Sequence, residues 1–468
     1  MTTRLAETQP NETTPDSDPA AVLPTVSILL VNYNGEGHLP TCLESLAALD
    51  YPSDRYEVLV VDNASTDASI HILAERFPTA RVLRQERNLG FAEGCNVGAK
   101  SSTNECLALL NTDMAVEPTW LTELVAAYKP EEGYRCTGSV IVDWSGTKLD
   151  FADGILDFYG MGEQDGFGKP LEDVAIPESR DLLFACGGAM LIERETYLAV
   201  GGFDSAYFAY FEDVDLGWRL WLAGHRVRLA SKARVRHHHH GTSGKLPTHQ
   251  RRLLYERNAL RTLVKNLDDR NLWPLLSAAL LLLSERARIL METSRADYDI
   301  GTGAIEPTER VAREGIAAVH AVGDLVHGLP ELMEQRAVTQ ALRRRGDDEI
   351  FPLFRRPFLP LGTAAPPFAE AMATITQTLG LDALFERRRG TRLIVVAYDA
   401  IGVRMAGPGA RCWELTQALG RHTQVTLASA TPVELQAPGV ETVQYRSDDE
   451  LRMLVEEADV LLLHGHAI

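Results

Sequence analysis

Three nearly unbroken apolar runs, at residues 26–31 (VSILLV), 58–61 (VLVV) and 106–110 (CLALL), each stop abruptly in a polar loop. Runs without polar alternation suit strands buried on both faces, as in parallel sheets. The first ends in Asn32-Tyr33-Asn34-Gly35, and a helix is predicted beyond it from the stripe Leu39, Cys42, Leu43 and Leu46. The second ends in Asp62-Asn63-Ala64-Ser65-Thr66-Asp67, again with a helix beyond. A further strand near 81–84 leads into NLGFAEGCNVG at 88–98, whose three glycines would let backbone approach a ligand. The run at 106–110 passes straight into Asn111-Thr112-Asp113. Strand, polar loop and helix in repetition predict a doubly wound α/β fold with a mostly parallel sheet, and ligands at the carboxyl ends of the strands.

A chain of 468 residues exceeds one ordinary core, so two or three units are expected. Net charge of −19 argues against general nucleic-acid binding, because a polyanion would be repelled. The six cysteines form no C-x-x-C pair, which disfavours a disulfide framework or a zinc site and reads as a reducing cytoplasm. No stretch reaches the ~20 apolar residues needed to span a bilayer. Residues 1–23, rich in Thr, Pro, Asp and Glu, read as a disordered tail.

The stretch GGFDSAYFAYFEDVDLGWRLWLAG at 201–224 carries the densest chemistry. Val214, Trp218, Trp221 and Leu222 recur at helical spacing and Gly224 supplies a stop, so a buried-faced helix is predicted to open at Glu212-Asp213. A carboxylate at a helix start is favoured by the exposed N–H groups and should stay ionised at neutral pH, serving either as a cap or as a base. Likewise Asp113, at a strand end beside a polar loop, is either a turn residue or an oxygen ligand for a hard divalent cation. Tyr207, Phe208, Tyr210 and Phe211 divide between cleft wall and core packing.

The segments VSILLVNYNG, VLVVDNASTD, NLGFAEGCNVG, LLNTD, CGGAMLIERETYLAVGGFD and YFEDVDLGWRL, in this order, resemble family 2 glycosyltransferases of the GT-A fold, in particular the rhamnosyltransferase-like branch. The resemblance covers residues 24–245. It implies an inverting transferase taking a sugar from a nucleoside diphosphate, dTDP-rhamnose being one candidate, with Mg²⁺ or Mn²⁺ as cofactor. It carries nucleotide binding onto Tyr33, Asn34, Asp62, Asn88, Gly90, Asn96 and Thr112. The sugar and acceptor cleft falls to Gly187, Gly188 and Glu212, the cation to Asp113 and the catalytic base to Asp213. Asn111 stands where many relatives carry Asp, leaving one carboxylate in the metal-binding triplet. Within the run His237-His238-His239-His240, His237 and His239 are the candidate metal ligands, since imidazole suits Mn²⁺ and its neighbours; a solvated surface loop is the alternative.

From 245 to 270 there are seven Lys or Arg against three acids, and LWPLLSAALLLL follows at 272–283. This reads either as peripheral contact with an anionic membrane face or a lipid-linked acceptor, or as a core helix with a solvated basic neighbour. Residues 246–390 are expected to form a helical region and linker. Residues 391–397 (TRLIVVA), a loop with Gly407 and Gly409, and later runs at 425–428 and 460–463 resemble the opening of a family 4 GT-B glycosyltransferase. With only part of such a unit in 391–468, that Rossmann-like portion is expected to be inactive, the chain reading as truncated or cut from a longer one. The expected function is thus polysaccharide or cell-envelope glycosyl transfer. The alternatives are a nucleotidyltransferase, which would want Arg and Lys in its first loop where NYNGEGHL has neither, and a non-catalytic sugar-nucleotide-binding scaffold.

Overall fold

The computed structural model describes residues 23–238, 247–291, 312–361, 365–386 and 393–464, apart from short breaks at 403–404, 406, 421–422, 424, 434 and 457–459. His239 and all of the N-terminal tail except Leu23 lie outside the described residues. The chain divides into two compact units, Met1–Arg345 with Leu353–Ile375, and Gly346–Pro352 with Thr376–Ile468.

The first unit is built on a nine-stranded mixed sheet. Its strands are β1 (Val26–Asn32), β2 (Tyr56–Asp62), β3 (Arg81–Arg84), β4 (Cys106–Leu110), β5 (Met114–Val116), β6 (Tyr134–Asp143), β7 (Leu149–Phe151), β10 (Ala189–Glu193) and β11 (Arg226–His237), while β8 (Gly154–Leu156) and β9 (Gly162–Gln164) form a separate hairpin. The order is β3-β2-β1-β4-β10-β6-β11-β5, with β7 on β6. The first four strands are parallel, as the unbroken apolar runs require, and β10 then enters antiparallel against both β4 and β6. Register now places the loops. Ala189 opposite Leu110 sets Gly188 beside Asn111, and His237 opposite Met114 sets His237 beside Asp113.

Helices α1 (Leu39–Ala47), α2 (Ser69–Arg76), α3 (Gly90–Ser101), α4 (Trp120–Ala127), α5 (Arg194–Ala199) and α6 (Glu212–Leu222) accompany the sheet. The predicted stripe of α1 is buried in full. In α3, a Cβ on Gly94 would lie 2.8 Å from Val31 Cγ1, and one on Gly98 would lie 2.1 Å from Leu29 Cδ1. Those two glycines serve close helix-to-strand packing rather than approach to a ligand. Only Gly90, with φ +81°, needs backbone freedom, because it opens the helix against Phe208.

Helices α7 (Thr248–Asn266), α8 (Asp269–Leu290), α9 (Arg313–His327) and α10 (Leu329–Ala341) pack in the same unit. Here the basic stretch finds its use inside the protein. Lys265, 3% exposed, lies 2.8 Å from Asp204 and 3.0 Å from Asp215; Arg219 lies 2.7 Å from Asp215, and Asn266 donates to it at 2.9 Å. Arg261 sits 3.8 Å from Asp204, and Glu256 holds Arg286 at 2.8 Å. Lys265 and Arg261 thus belong neither to a lipid-facing nor to a solvated basic surface, because a buried cation needs a buried anion, and Asp204 and Asp215 provide it. In α8 the apolar residues Leu272, Leu275, Leu276, Leu282 and Leu283 are buried, whereas Trp273 and Leu281 are exposed. Among the described residues no helix is long and apolar enough to cross a membrane.

The second unit contains a four-stranded parallel sheet in the order β14-β13-β12-β15, from β12 (Leu393–Ala397), β13 (Val425–Ser429), β14 (Val440–Gln444) and β15 (Val460–His464). A helix at Gly407–Gly420 starts at the expected glycine loop, and a Cβ on Gly409 would approach the Ala400 carbonyl to 2.7 Å.

Burial alone would raise the Asp215 carboxyl, but Arg219 and Lys265 outweigh it and hold it below the usual carboxylate range. Its stabilising contribution is therefore complete above the ordinary carboxylate pKa and is lost as pH falls through the lower folded value. Lys265→Met leaves two acids short of a cation and should cost about 3–5 kcal/mol in urea denaturation at pH 7, with a smaller penalty in strong acid. A change under ~0.5 kcal/mol, the usual size for a surface substitution, would show that the cluster carries no stability.

Candidate active site

The loops at the carboxyl ends of β1, β2 and β4 open onto a cavity of about 900 Å³. Its walls include Tyr33, Asn34 and His38 after β1, Asn63 and Asp67 after β2, Asn88 and Gly90, Asn111-Thr112-Asp113, Cys186 and Gly188, Phe208 to Val214, His237 and Tyr255. Asn34 takes φ +51° and is fixed from two sides: its N–H donates to Ser65 Oγ at 2.9 Å, and its Oδ1 accepts from Thr66 N–H at 2.8 Å. Asn88 Oδ1 accepts from the Gly90 N–H at 2.9 Å.

At one side of the cavity, Asp113 Oδ2 stands 3.5 Å from His237 Nε2, and His237 Nδ1 meets Asp150 Oδ2 at 2.6 Å. Asp150, on β7, is 3% exposed. Burial would lower the His237 ring, but the two carboxylates raise it to about 9; burial would likewise raise Asp113, and His237 holds it below its usual range. Asp150 thus fixes one ring nitrogen and leaves Nε2 directed at Asp113, the arrangement by which a carboxylate orients a metal-binding histidine. An oxygen and an imidazole nitrogen suit Mn²⁺ or Mg²⁺ that takes further oxygens from a diphosphate. Among the described residues no cluster of three His, Cys, Asp or Glu side chains could hold an ion.

The start of α6 lines the same cavity. Asp213 is the one residue of that helix not buried. Its Oδ2 accepts from the Gly187 N–H at 3.0 Å and its Oδ1 from the Val214 N–H at 2.9 Å. It is not the cap: the cap position is Phe211, in the left-handed region, with no side-chain capping bond. Burial raises the Asp213 carboxyl and the two N–H groups oppose that. Glu212 behaves differently from the sequence expectation. It is 7% exposed, its Oε2 has no hydrogen-bond partner among the described residues, and burial together with the neighbouring Asp213 charge pushes it up to about 8. Both carboxyls are therefore raised, Asp213 against the pull of its two N–H bonds and Glu212 with one oxygen lacking such a bond, because desolvation at this helix start exceeds what the helix N-terminus returns.

The segment before α6 is strained. Phe208, Tyr210 and Phe211 take φ of 63°, 68° and 69°, and each such placement costs about 1–3 kcal/mol unless its surroundings impose it. Phe208, Tyr210 and Phe211 line the cavity, whereas Tyr207 is buried with its hydroxyl 2.8 Å from Thr262 Oγ1.

Of the nucleotide contacts expected from the sequence, Tyr33, Asn34, Asn88, Gly90 and Thr112 line the cavity. Asp62 and Asn96 do not. Asp62 is 0% exposed, accepting from Asn32 Nδ2 at 3.0 Å and from the Ser65 N–H at 3.2 Å, so its carboxylate ties two strand ends together. Asn96 donates to the Phe203 carbonyl at 2.8 Å and accepts from the Tyr197 hydroxyl and the Phe203 N–H, which makes it a brace under the 201–204 turn. Asn63 and Asp67 reach the cavity instead. Gly188 lines it together with Glu212, while Gly187 acts through its bond to Asp213; a Cβ on Gly188 would meet Asn111 Nδ2 at 2.6 Å. Asp204 and Asp215, the other aspartates of the 201–224 stretch, are both paired with Lys265. Sequence reading missed Asp150 and Tyr255, which no local motif announces; only the β6–β7 pairing and the docking of α7 bring them in.

Residues 27–195 match the model of glycosyl transferase family 2, and 183–241 that of the N-terminal domain of galactosyltransferase. The O-antigen biosynthesis protein RfbC of Myxococcus xanthus is 30% identical over 230 residues, 47% of this chain and 18% of that protein. The N-acetylglucosaminyl-diphospho-decaprenol L-rhamnosyltransferase of Mycobacterium tuberculosis is 29% identical over 248 residues, 48% of this chain and 79% of that protein. The chain thus spans less than a fifth of the Myxococcus relative. Among solved structures, S. aureus TarS 1–349 in complex with UDP-GlcNAc is similar at 16% identity and a TM-score of 0.43, over 76% of this chain and 92% of that one. Residues 27–195 of the chain are thus similar to glycosyl transferase family 2.

Proposed function

We propose that the chain is a metal-dependent, inverting glycosyltransferase. It moves a sugar from a nucleoside-diphosphate sugar, with dTDP-rhamnose a candidate donor, to a glycan or lipid-linked acceptor in polysaccharide or cell-envelope synthesis. The observation that carries this reading is that Asp213 and the Asp113–His237 pair line one cavity, and that the Gly187-Gly188 backbone bonds both Asp213 and the Asn111-Thr112-Asp113 segment. Asn111 donates its N–H to the Gly188 carbonyl at 2.8 Å, and Gly187 donates to Asp213 at 3.0 Å. The names of the two bacterial relatives, one an O-antigen biosynthesis protein and one a rhamnosyltransferase, support the substrate class.

In this reading Asp113 and His237 would hold Mg²⁺ or Mn²⁺, which when bound would offset the charge growing on the departing diphosphate. Tyr33, Asn34, Asn88 and Thr112 surround the nucleotide. Asp213, ionised and aimed by two backbone N–H groups, takes the proton of the attacking acceptor hydroxyl. Glu212, neutral at pH 7, offers a carboxylic O–H to a sugar or acceptor hydroxyl. A membrane or lipid-linked acceptor contact would be made through the exposed Trp273 and Leu281 of α8. The second unit reads as a Rossmann-like unit of the family 4 GT-B type.

A panel of nucleotide sugars, with Mn²⁺ or with EDTA, should give turnover with one donor in Mn²⁺ only; a non-catalytic scaffold would bind without turning over. Asp213→Asn should keep the melting temperature and nucleotide affinity yet cost about 10²- to 10⁴-fold in turnover, and near wild-type rates would remove Asp213 from the role of base. Asp113→Ala should weaken nucleoside-diphosphate binding in Mn²⁺ far more than in EDTA; equal wild-type affinity in both media would contradict the cation's place here.

The folded-state pKa of Glu212 lies above its unfolded value, so its contribution is fully present below about 4.5 and is lost as pH rises through about 8. Glu212→Gln removes that loss. The melting temperature of Glu212→Gln relative to wild type should therefore climb between pH 5 and pH 8.5, and a difference independent of pH would show Glu212 to be ionised throughout.

A further inference from the structure

The matched family segments end at residue 241, yet one face of α7 grips the loop in front of the proposed base. Asn258 is 0% exposed, and its Nδ2 lies 3.2 Å from the Tyr207 carbonyl, 3.0 Å from that of Ala209 and 2.8 Å from that of Tyr210. Arg257, whose Nε donates to Asn258 Oδ1 at 3.1 Å and fixes the amide's orientation, also reaches the Ala206 and Tyr207 carbonyls at 3.3 and 3.2 Å. Three residues further back on the same helix, Tyr255 stacks edge-on against Tyr210 with ring centroids 4.8 Å apart, and it lines the cavity. On the other side of the loop the Phe91 N–H donates to the Phe208 carbonyl at 3.0 Å.

These contacts answer a specific need. Phe208, Tyr210 and Phe211 hold left-handed backbone that L side chains avoid. Such a loop turns its carbonyls inward, and buried carbonyls demand donors. A single amide with two N–H groups, converging on three carbonyls, satisfies that demand and penalises any relaxed form of the loop. We propose that Asn258 is a positioning residue for sugar transfer: its amide holds residues 207–211 in the strained form that walls the cavity and sets where α6 presents Asp213. This rests on the glycosyl-transfer reading above. The nucleotide side of the cavity is built from other loops, so Asn258 acts on acceptor geometry and on the exclusion of water, not on donor binding.

The test is Asn258→Ala in the full chain, with Asn258→Ser, which keeps one donor, as a second variant should the first fail to fold. Hydrogen exchange should show lost protection of residues 206–212 with protection of β1, β4 and α3 beyond its first turn unchanged. Binding of UDP and dTDP in Mn²⁺ should stay within about twofold, while acceptor-dependent turnover falls about 10- to 100-fold, the usual cost of a small misplacement at a reacting centre. The fraction of donor lost to hydrolysis rather than transferred should rise, and Asn258→Ser should fall between Ala and wild type. Unchanged exchange in 206–212 overturns the clamp, whatever the activity. Lost protection with an unchanged ratio of transfer to hydrolysis reduces Asn258 to a stability role. Absence of sugar transfer by the wild type, with the exchange result as predicted, instead removes the glycosyl-transfer reading.

Discussion

The Asp215 carboxylate, 0% exposed and bounded by Arg219, Lys265 and Asn266, is the point on which the site depends. It stands two residues after Asp213 on α6, and its partners reach it from α6 itself and from α7. An unpaired buried carboxylate would be intolerable, so α6 and α7 can only be packed together or badly destabilised. With that joint made, Tyr207 meets Thr262 and the amide of Asn258 meets the loop carbonyls. The left-handed stretch into α6 follows. The proposed base, Asp213, is thereby held in place by way of a fully paired neighbouring acid.

The same geometry separates two neighbouring carboxyls. Asp213 receives two backbone N–H bonds, whereas Glu212 has a buried oxygen without a partner among the described residues, so adjacent side chains of similar chemistry meet different surroundings. On the far wall, His237 is turned by Asp150 toward Asp113. Each pole is thus defined by a contact from an element distant in sequence, and Gly187-Gly188, where a side chain would collide with Asp213 or Asn111, keeps the two walls close.

Much of the first unit was legible because its signals are local. The apolar runs of β1, β2 and β4 became parallel strands, and the stripe Val214, Trp218, Trp221 and Leu222 became a buried helix face. The polar loops after those strands face one cavity for the topological reason that strand ends converge. What stayed hidden depends on partners. Asp62 and Asn96 carry polar groups in the right loops, but their hydrogen bonds are spent on Asn32, Ser65, Tyr197 and Phe203. The glycines of 94 and 98 signal closeness without saying to what, and here the neighbour is β1. The basic run of α7 looked like a surface because charge in a sequence carries no burial; the acids that neutralise it lie some fifty residues earlier. Asp150 had no pattern at all.

The measurement that bears most directly on this account is the stereochemistry of transfer, read by proton NMR of the product from whichever nucleotide sugar the chain turns over. A single base at Asp213 opposite the Asp113–His237 pair implies one in-line displacement, with an anomeric configuration opposite to that of the donor. Product of retained configuration would contradict the account, since it would require a second nucleophile or a front-face path that this cavity is not proposed to provide.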